Sequence, residues 1–277
     1  MHISLDSALG RQRRLNSVGE SALQIAPSAA AAYSLRSLTG GDPRVVRVRR
    51  DTSGGAGDDD EQDFTVSGIS SGALVNFVGS GNDGYVDTWY DQSGNGRDAV
   101  QPTATSQPKI VNDGSLLADG LTFSGSQSLA MPSSIISNIN SVSCFLVCKE
   151  KSGFNYSTAL SISNAANLKL SLATDSFGSF YNAYGSSFTT LGTTDDAKHL
   201  ISLVVGDSGA ESFRDSTSKG TIATASGYTP STFIGTDPSL GTFWTSQIDE
   251  VIIYDSNQSA NRVALETNIQ TAYPTLP

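Results

Sequence analysis

Cysteine, histidine and charge are scarce in this chain. Its 277 residues include 2 Cys, 2 His, 2 Met and 2 Trp, and charged residues make up 16%. The histidines, His2 and His199, and the cysteines, Cys144 and Cys148, form no His/Cys cluster in the sequence, which argues against a structural zinc site. Both cysteines fall in residues 142–149, a segment that reads as one buried strand. Positions four apart on a strand are separated by ~13 Å at ~3.3 Å per residue. A disulfide needs Cα atoms within ~7 Å, so two free buried thiols are predicted. No run reaches the ~18 apolar residues of a membrane span. Residues 1–26 carry charges and glycine where a secretion signal has its apolar core. The chain is therefore expected to fold in a cytoplasm and to have no membrane partner.

What is present points to strands. Gly occurs 27 times and apolar residues make up 38%, a balance that suits many short strands joined by polar turns. The length allows one large β domain or two small ones and a sizeable core without staples. The net charge of −10 is uneven. Residues 1–50 hold 8 of the 17 basic residues against 3 acids, so this part is +5 and the remainder −15. An acidic body argues against nucleic-acid binding. The basic start, with Arg11, Arg13 and Arg14, suits docking onto acidic groups of another protein chain, since the guanidinium fork matches carboxylates.

Two regions are expected: an arm over residues 1–28 and one elaborated sandwich over 29–277. A short helix is predicted over residues 29–38, with Ser28 as N-cap and Gly40-Gly41 as its end. Val46 and Val48 are expected on one face of a strand and Arg47 and Arg49 on the other. A second short helix is expected over 73–78 and a strand over 85–90. From Leu121 onward, strands are expected near 121–123, 128–131, 142–149, 157–163, 167–173, 179–184, 200–205, 212–214, 232–234 and 243–254. A final helix would start near Ser259 and bury Leu265, Ile269 and Tyr273, ending at Pro274. The predicted fold class is all-β: a two-sheet antiparallel jelly-roll sandwich with a few short helices and an N-terminal arm.

Four segments, taken in order, resemble concanavalin A-like (laminin G-like) jelly rolls. They are Leu121-Thr-Phe-Ser-Gly-Ser-Gln-Ser-Leu129, Ser141-Val-Ser-Cys-Phe-Leu-Val147, His199-Leu-Ile-Ser-Leu-Val-Val-Gly-Asp-Ser-Gly209 and Ile248-Asp-Glu-Val-Ile-Ile-Tyr-Asp255. Residues 29–112, with Trp89-Tyr-Asp-Gln-Ser-Gly-Asn-Gly96 as the most distinctive run, resemble the start of the catalytic sandwich of fungal α-L-arabinofuranosidase B. They also resemble marine bacteriophage virion proteins that join this segment to a laminin G-like half. The resemblance implies a structural protein of a phage particle (head decoration, spike or fibre component), made in the host cytoplasm. It would be attached to other virion proteins through its arm, present as a homo-oligomer or in many copies, with capacity for host-surface glycans and no enzymatic activity. An arabinofuranosidase-like glycoside hydrolase and a free lectin are the alternatives.

Several motifs have the residue types for chemistry. A glycosidase needs two carboxylates on one sugar, ~5–5.5 Å apart for retention or ~6.5–9.5 Å for inversion. Asp249 and Glu250 are adjacent, and adjacent strand residues point to opposite faces, so Glu250 is expected to anchor a loop or neighbouring strand. The Glu motif and the Cys-Cys pair of the arabinofuranosidase family have no match here, so the fold resemblance is expected to hold but the activity is not expected to carry over. Asp91-Gln-Ser-Gly-Asn-Gly96 is expected to be a turn, and the acidic residues 54–61 a solvated hairpin tip. No cofactor is expected, with calcium at a laminin G-like rim left open and unassigned. Gly206-Asp-Ser-Gly209 copies a serine-protease box, but without a placed His and Asp it reads as a hairpin. Within residues 176–188, Tyr181, Asn182 and Tyr184 are the ligand-binding candidates together with Trp244; each is either a platform for a sugar or core filling.

Overall fold

The computed structural model describes residues 19–52, 60–117, 120–133, 135–149, 157–165, 168–174, 179–185, 187–223, 230–237 and 241–277. Only the backbone is described within 163–185, at 188 and at 230–231. The expected class holds: the chain is an all-β antiparallel sandwich with short helices on its outside.

The organising strand is β19 (Gln247–Tyr254), whose six residues from Asp249 to Tyr254 are fully buried. One of its edges pairs with β10 (Ser143–Lys149), which continues to β15 (Lys198–Gly206), β16 (Gly209–Arg214) and β17 (Thr217–Ile222). Its other edge is shared by β1 (Ala31–Ser34) and β8 (Leu121–Thr122). From β8 the pairing passes through β6 (Lys109–Asn112) to β4 (Asp83–Trp89), which pairs with β2 (Arg44–Asp51), and β2 in turn with β3 (Glu61–Thr65). From β4 it runs through β5 (Ala99–Val100), β9 (Leu129–Ala130) and β18 (Pro230–Ile234). The far end is β11 (Ser157–Ala165), β12 (Leu168–Thr174), β13 (Ser179–Gly185) and β14 (Ser187–Thr193). The short β7 (Ser115–Leu116) closes a hairpin on β6.

Residues that alternate along these strands separate two cores. The inner core between the sheets includes Tyr33, Trp89, Leu146, Leu203, Val251 and Ile253. The outer layer covers Phe145, Val147, Leu200, Ile252 and Tyr254 with α4 (Arg262–Ala272) and the short α1 (Ala22–Ile25). Leu265, Ile269 and Tyr273 are buried on the final helix and its cap, as their four-residue spacing predicted. Burying each such side chain contributes ~1.5–3 kcal/mol. Residues 19–28, read as the end of the arm, belong to this layer through Ala22 and Ala26, both at 0% exposure. Arg11, Arg13 and Arg14 lie outside the described residues.

The predicted helix over 29–38 is instead strand β1, paired with residues 250–253 of β19 in the register Ala31↔Ile253 to Ser34↔Glu250. Ala31 and Tyr33 face the inner core while Ala32 faces the outer one. Small side chains let this edge be covered on both sides, and tertiary pairing overrides alanine's helix propensity. Ser28 is no N-cap and sits at φ 70°. The clean alternation expected in β2 is broken by bulges next to Val46 and Val48, so Val45 and Val46 are both buried. The helix expected over 73–78 is present as α3 (Ala73–Val78), preceded by α2 (Val66–Ser70). The expected hairpin at Gly206-Asp-Ser-Gly209 joins β15 and β16.

Candidate functional site

Three polar assemblies stand out from the apolar layers. The first lies under α4. Val147 of β10 pairs with Glu250 of β19, and the next residue, Cys148, pairs with Ile248, so Asp249 is the extra residue of a bulge. The alternation argument that separated Asp249 from Glu250 fails at this point, because a bulge suspends the two-residue period. Both carboxylates act on Tyr273, whose hydroxyl is pushed well up by burial and then by Glu250 and Asp249. Glu250 is at 0% exposure and accepts from Arg36 Nε at 2.7 Å and Nη2 at 2.8 Å, from Ser34 Oγ at 3.0 Å and from Tyr273 OH at 3.1 Å. Burial opposes the charge on Arg36, but Glu250 and Tyr273 together more than offset it and hold the guanidinium above its usual range. Asp249, also at 0%, pairs with Lys198 Nζ at 2.5 Å. Any side chain at Gly120 would collide with it, since a Cβ there would stand 2.1 Å from Asp249 Oδ1. Glu250 thus anchors β1 and the segment after it to the sheet, the role its sequence position suggested.

The second assembly closes one end of the sandwich. His199 Nδ1 lies 2.6 Å from Asp215 Oδ2, and its Nε2 lies 2.9 Å from Asp195 Oδ1 and 2.7 Å from Arg214 Nη2. Arg214 Nη1 donates to the Thr193 carbonyl at 3.0 Å, tying β14 to the β15–β16 hairpin. Burial raises the Asp195 carboxyl pKa, but the hydrogen bonds from His199 and the Ala197 amide, with the charges of His199 and Arg214, together outweigh it and the net direction is down. The two ring nitrogens point opposite ways, so these carboxylates cannot share one metal ion with the ring. Among the described residues no group of three or more His, Cys, Asp or Glu is placed to hold a metal.

The third is a rim of hydroxyls after β18. Asp237 is half-buried, and its Oδ1 accepts from Gly241 N at 3.0 Å and Thr242 N at 3.4 Å. Beside it Thr158 and Thr242 share a 2.7 Å hydrogen bond, Ser157 Oγ donates to the Phe243 carbonyl, and Thr236 is buried at 0%. Ser157, Thr158 and Thr236 are buried, so of this group only Asp237 and Thr242 reach the surface.

The sequence candidates fall elsewhere. Trp244 is 1% exposed within the inner core, its indole N–H donating to the Gln247 carbonyl at 3.4 Å, so it offers no face to a sugar. Tyr181, Asn182 and Tyr184 lie on β13, in register with Ala173, Leu172 and Leu170 of β12; their side chains lie outside the described ones. The tip of the acidic hairpin, residues 53–59, is also outside. Asp91-Gln-Ser-Gly-Asn-Gly96 is the expected turn: Asp91 accepts from the backbone of Ala32, Ser93 and Arg97, and Gln92 bridges Leu38, Ser34 and Arg36. Arg36, Lys198, Asp195, Asp215 and Asp237 carry no signal in the sequence, since each acquires its role from a partner that only the fold brings near.

No family model and no curated protein sequence matches the chain. Solved structures do. A GH54 α-L-arabinofuranosidase soaked with a cyclic sulfate inhibitor is similar over 88% of this chain and 63% of its own, with a TM-score of 0.65 at 10% identity. A mutant of a GH54 α-L-arabinofuranosidase soaked with 4-nitrophenyl α-L-arabinofuranoside is similar over the same shares, with a TM-score of 0.64 at 11% identity. Trypanosoma rangeli sialidase is similar over 67% of this chain and 31% of its own, with a TM-score of 0.50 at 15% identity. The chain thus spans less than two thirds of these proteins, and at such identities the likeness establishes the fold. The expectation of a phage structural protein without enzymatic activity is overturned here: the solved structures named above, which share the fold, are glycosidases. The chain has a β-sandwich of the kind found in glycoside hydrolases.

Proposed function

We propose that this chain acts on glycans as a glycoside hydrolase, with α-L-arabinofuranosides as the substrate class. The observation that carries the reading is the likeness to GH54 arabinofuranosidases over 88% of the chain at a TM-score of 0.65. The resemblance of residues 29–112 to the same family, reached from sequence, supports it independently.

Asp249 and Glu250 do not perform the chemistry in this reading. Both are at 0% exposure and committed to Lys198 and Arg36. Asp237 is the carboxylate assigned to touch the sugar, because it stands half-buried beside Thr242 with its orientation set by two loop amides. The test is release of 4-nitrophenol from 4-nitrophenyl α-L-arabinofuranoside. Turnover above the blank is expected, and Asp237→Asn should lower it ~100-fold or more, as loss of an acid–base group does. An amide scan of the remaining carboxylates then locates the second member. A folded protein inert towards aryl furanosides and arabinan overturns the reading.

A further inference from the structure

A cavity of about 460 Å³ opens on the outside of the sandwich, between α1, the segment after β1 and α4. It lies in the outer layer, on the far side of the sheet from the inner core. We propose that it is a second carbohydrate site, one that holds a single neutral saccharide unit. The choice of a saccharide rests on the glycan-directed function proposed above.

The cavity exists because the residues around it are small. Gly19, Ser21, Ser37, Gly40, Ala264 and Ala272 all line it. Its volume falls within the ~300–1,000 Å³ usual for small-molecule sites. Arg36 lines it as well. Arg36 spends its Nε and Nη2 on Glu250, and Nη2 also meets Asn268 Oδ1 at 2.9 Å. The side chain also packs over the Tyr273 ring, and it remains about one-fifth exposed where it lines the cavity. The pair with buried Glu250 holds that group in one orientation before any ligand arrives, and a donor oriented in advance loses less on binding.

The remaining polar groups complete an amphipathic lining. Ser37 Oγ accepts from Gly40 N at 3.0 Å, which leaves its proton to donate. Thr267 and Thr271 donate their hydroxyls back along α4, at 2.8 and 2.7 Å, and keep lone pairs to accept. Methyl groups of these threonines and the side chains of Ile25, Ala264 and Ala272 supply apolar wall. Donors and acceptors interleaved with C–H surface match a ring bearing several hydroxyls. Charge then decides which kind of sugar. Arg36 and Glu250 cancel, and Glu20 at the rim leaves the site with one negative charge. A uronate or sialate would be repelled, whereas a neutral pentose or hexose would not.

The experiment measures binding in the Asp237→Asn background, so that the probe is not consumed. The probe is α-1,5-linked L-arabinotriose, followed by saturation-transfer NMR and calorimetry, with galacturonic acid as the anionic comparison. Weak binding of the neutral probe is expected, with the acid binding at least tenfold more weakly. Ala264→Phe or Thr271→Trp, both at exposed positions of α4, should fill the cavity and weaken binding of the neutral probe tenfold or more. Two variants guard against one that fails to fold, which circular dichroism would reveal. Binding unchanged by both filled variants, absence of binding, or preference for the acid each overturns the proposal. Turnover by the unmodified chain is read separately. Cavity binding without turnover would sink the hydrolase reading and leave this site standing, and turnover without cavity binding would do the reverse.

Discussion

Glu250 ties Ser34, Arg36 and Tyr273 of the outer layer to the sheet. It is a fully buried carboxylate with four donors, and its worth depends on all of them being present. Glu250→Ala is expected to cost ~3–5 kcal/mol, because it leaves Arg36 uncompensated. Replacing Arg36 and Glu250 together by Met should cost less than Glu250→Ala alone, since no charge is then stranded; urea unfolding of the variants checks the order. A second expectation concerns Asp63. Burial alone would raise it, but hydrogen bonds from Arg47, Tyr90 and Arg44 lower it from 3.8 to about 2. A carboxylate with a depressed folded pKa stabilises above its unfolded pKa, and that contribution is lost as pH falls through the folded one. The stability gap between the unmodified chain and Asp63→Asn should therefore be full above pH ~4 and close towards pH ~2. The site is solvent-screened, so the gap stays below ~1 kcal/mol. A gap that widens on acidification would refute the assignment.

Among the elements, the hairpin at Gly206-Asp-Ser-Gly209 shows how a local motif takes its meaning from what packs on it. Gly209 sits at φ 117°, and a Cβ there would stand 1.9 Å from the Ile222 carbonyl of β17. Gly94, in the turn after β4, also has a positive φ, of 87°, but open space around it. Gly209→Ala should thus lower the melting temperature by several degrees more than Gly94→Ala, where backbone strain of ~1–3 kcal/mol acts alone. Calorimetry of the two variants decides it, and equal shifts would show that the approach of β17 does not matter. The elements differ in how legible they are in the sequence. The final helix announces itself through the four-residue spacing of Leu265, Ile269 and Tyr273. Strand β1 does not, because a run of alanines suits a helix until both of its faces are buried. Strands β6, β14 and β17 also escape the sequence pattern, and β17 has five of its six residues exposed, so no alternation marks it.

For the whole molecule, the sandwich should hold without a covalent staple. Cys144 and Cys148 are free, at 1% and 0% exposure, and burial pushes the Cys144 thiol well up. Both should stay inert to a thiol reagent in the native protein and react only at the rate of unfolding, and reductant should leave the melting temperature unchanged. Rapid labelling of the native chain would contradict the packing of β10. The free thiols were settled by the sequence alone, because residues four apart on one extended strand cannot reach each other. So were the all-β class, the turn at Asp91 and the helix that covers the outer face, each a matter of local period or turn chemistry. Tertiary structure decided the rest. A bulge placed Asp249 beside Glu250 against the two-residue rule. Pairing with β19 turned an alanine run into a strand. Arg36 and Asn268 became the floor of a cavity although they stand far apart in the chain. These outcomes depend on which surfaces meet, and a one-dimensional pattern carries only the tendency of each segment to bury a face, not the identity of the face it is buried against.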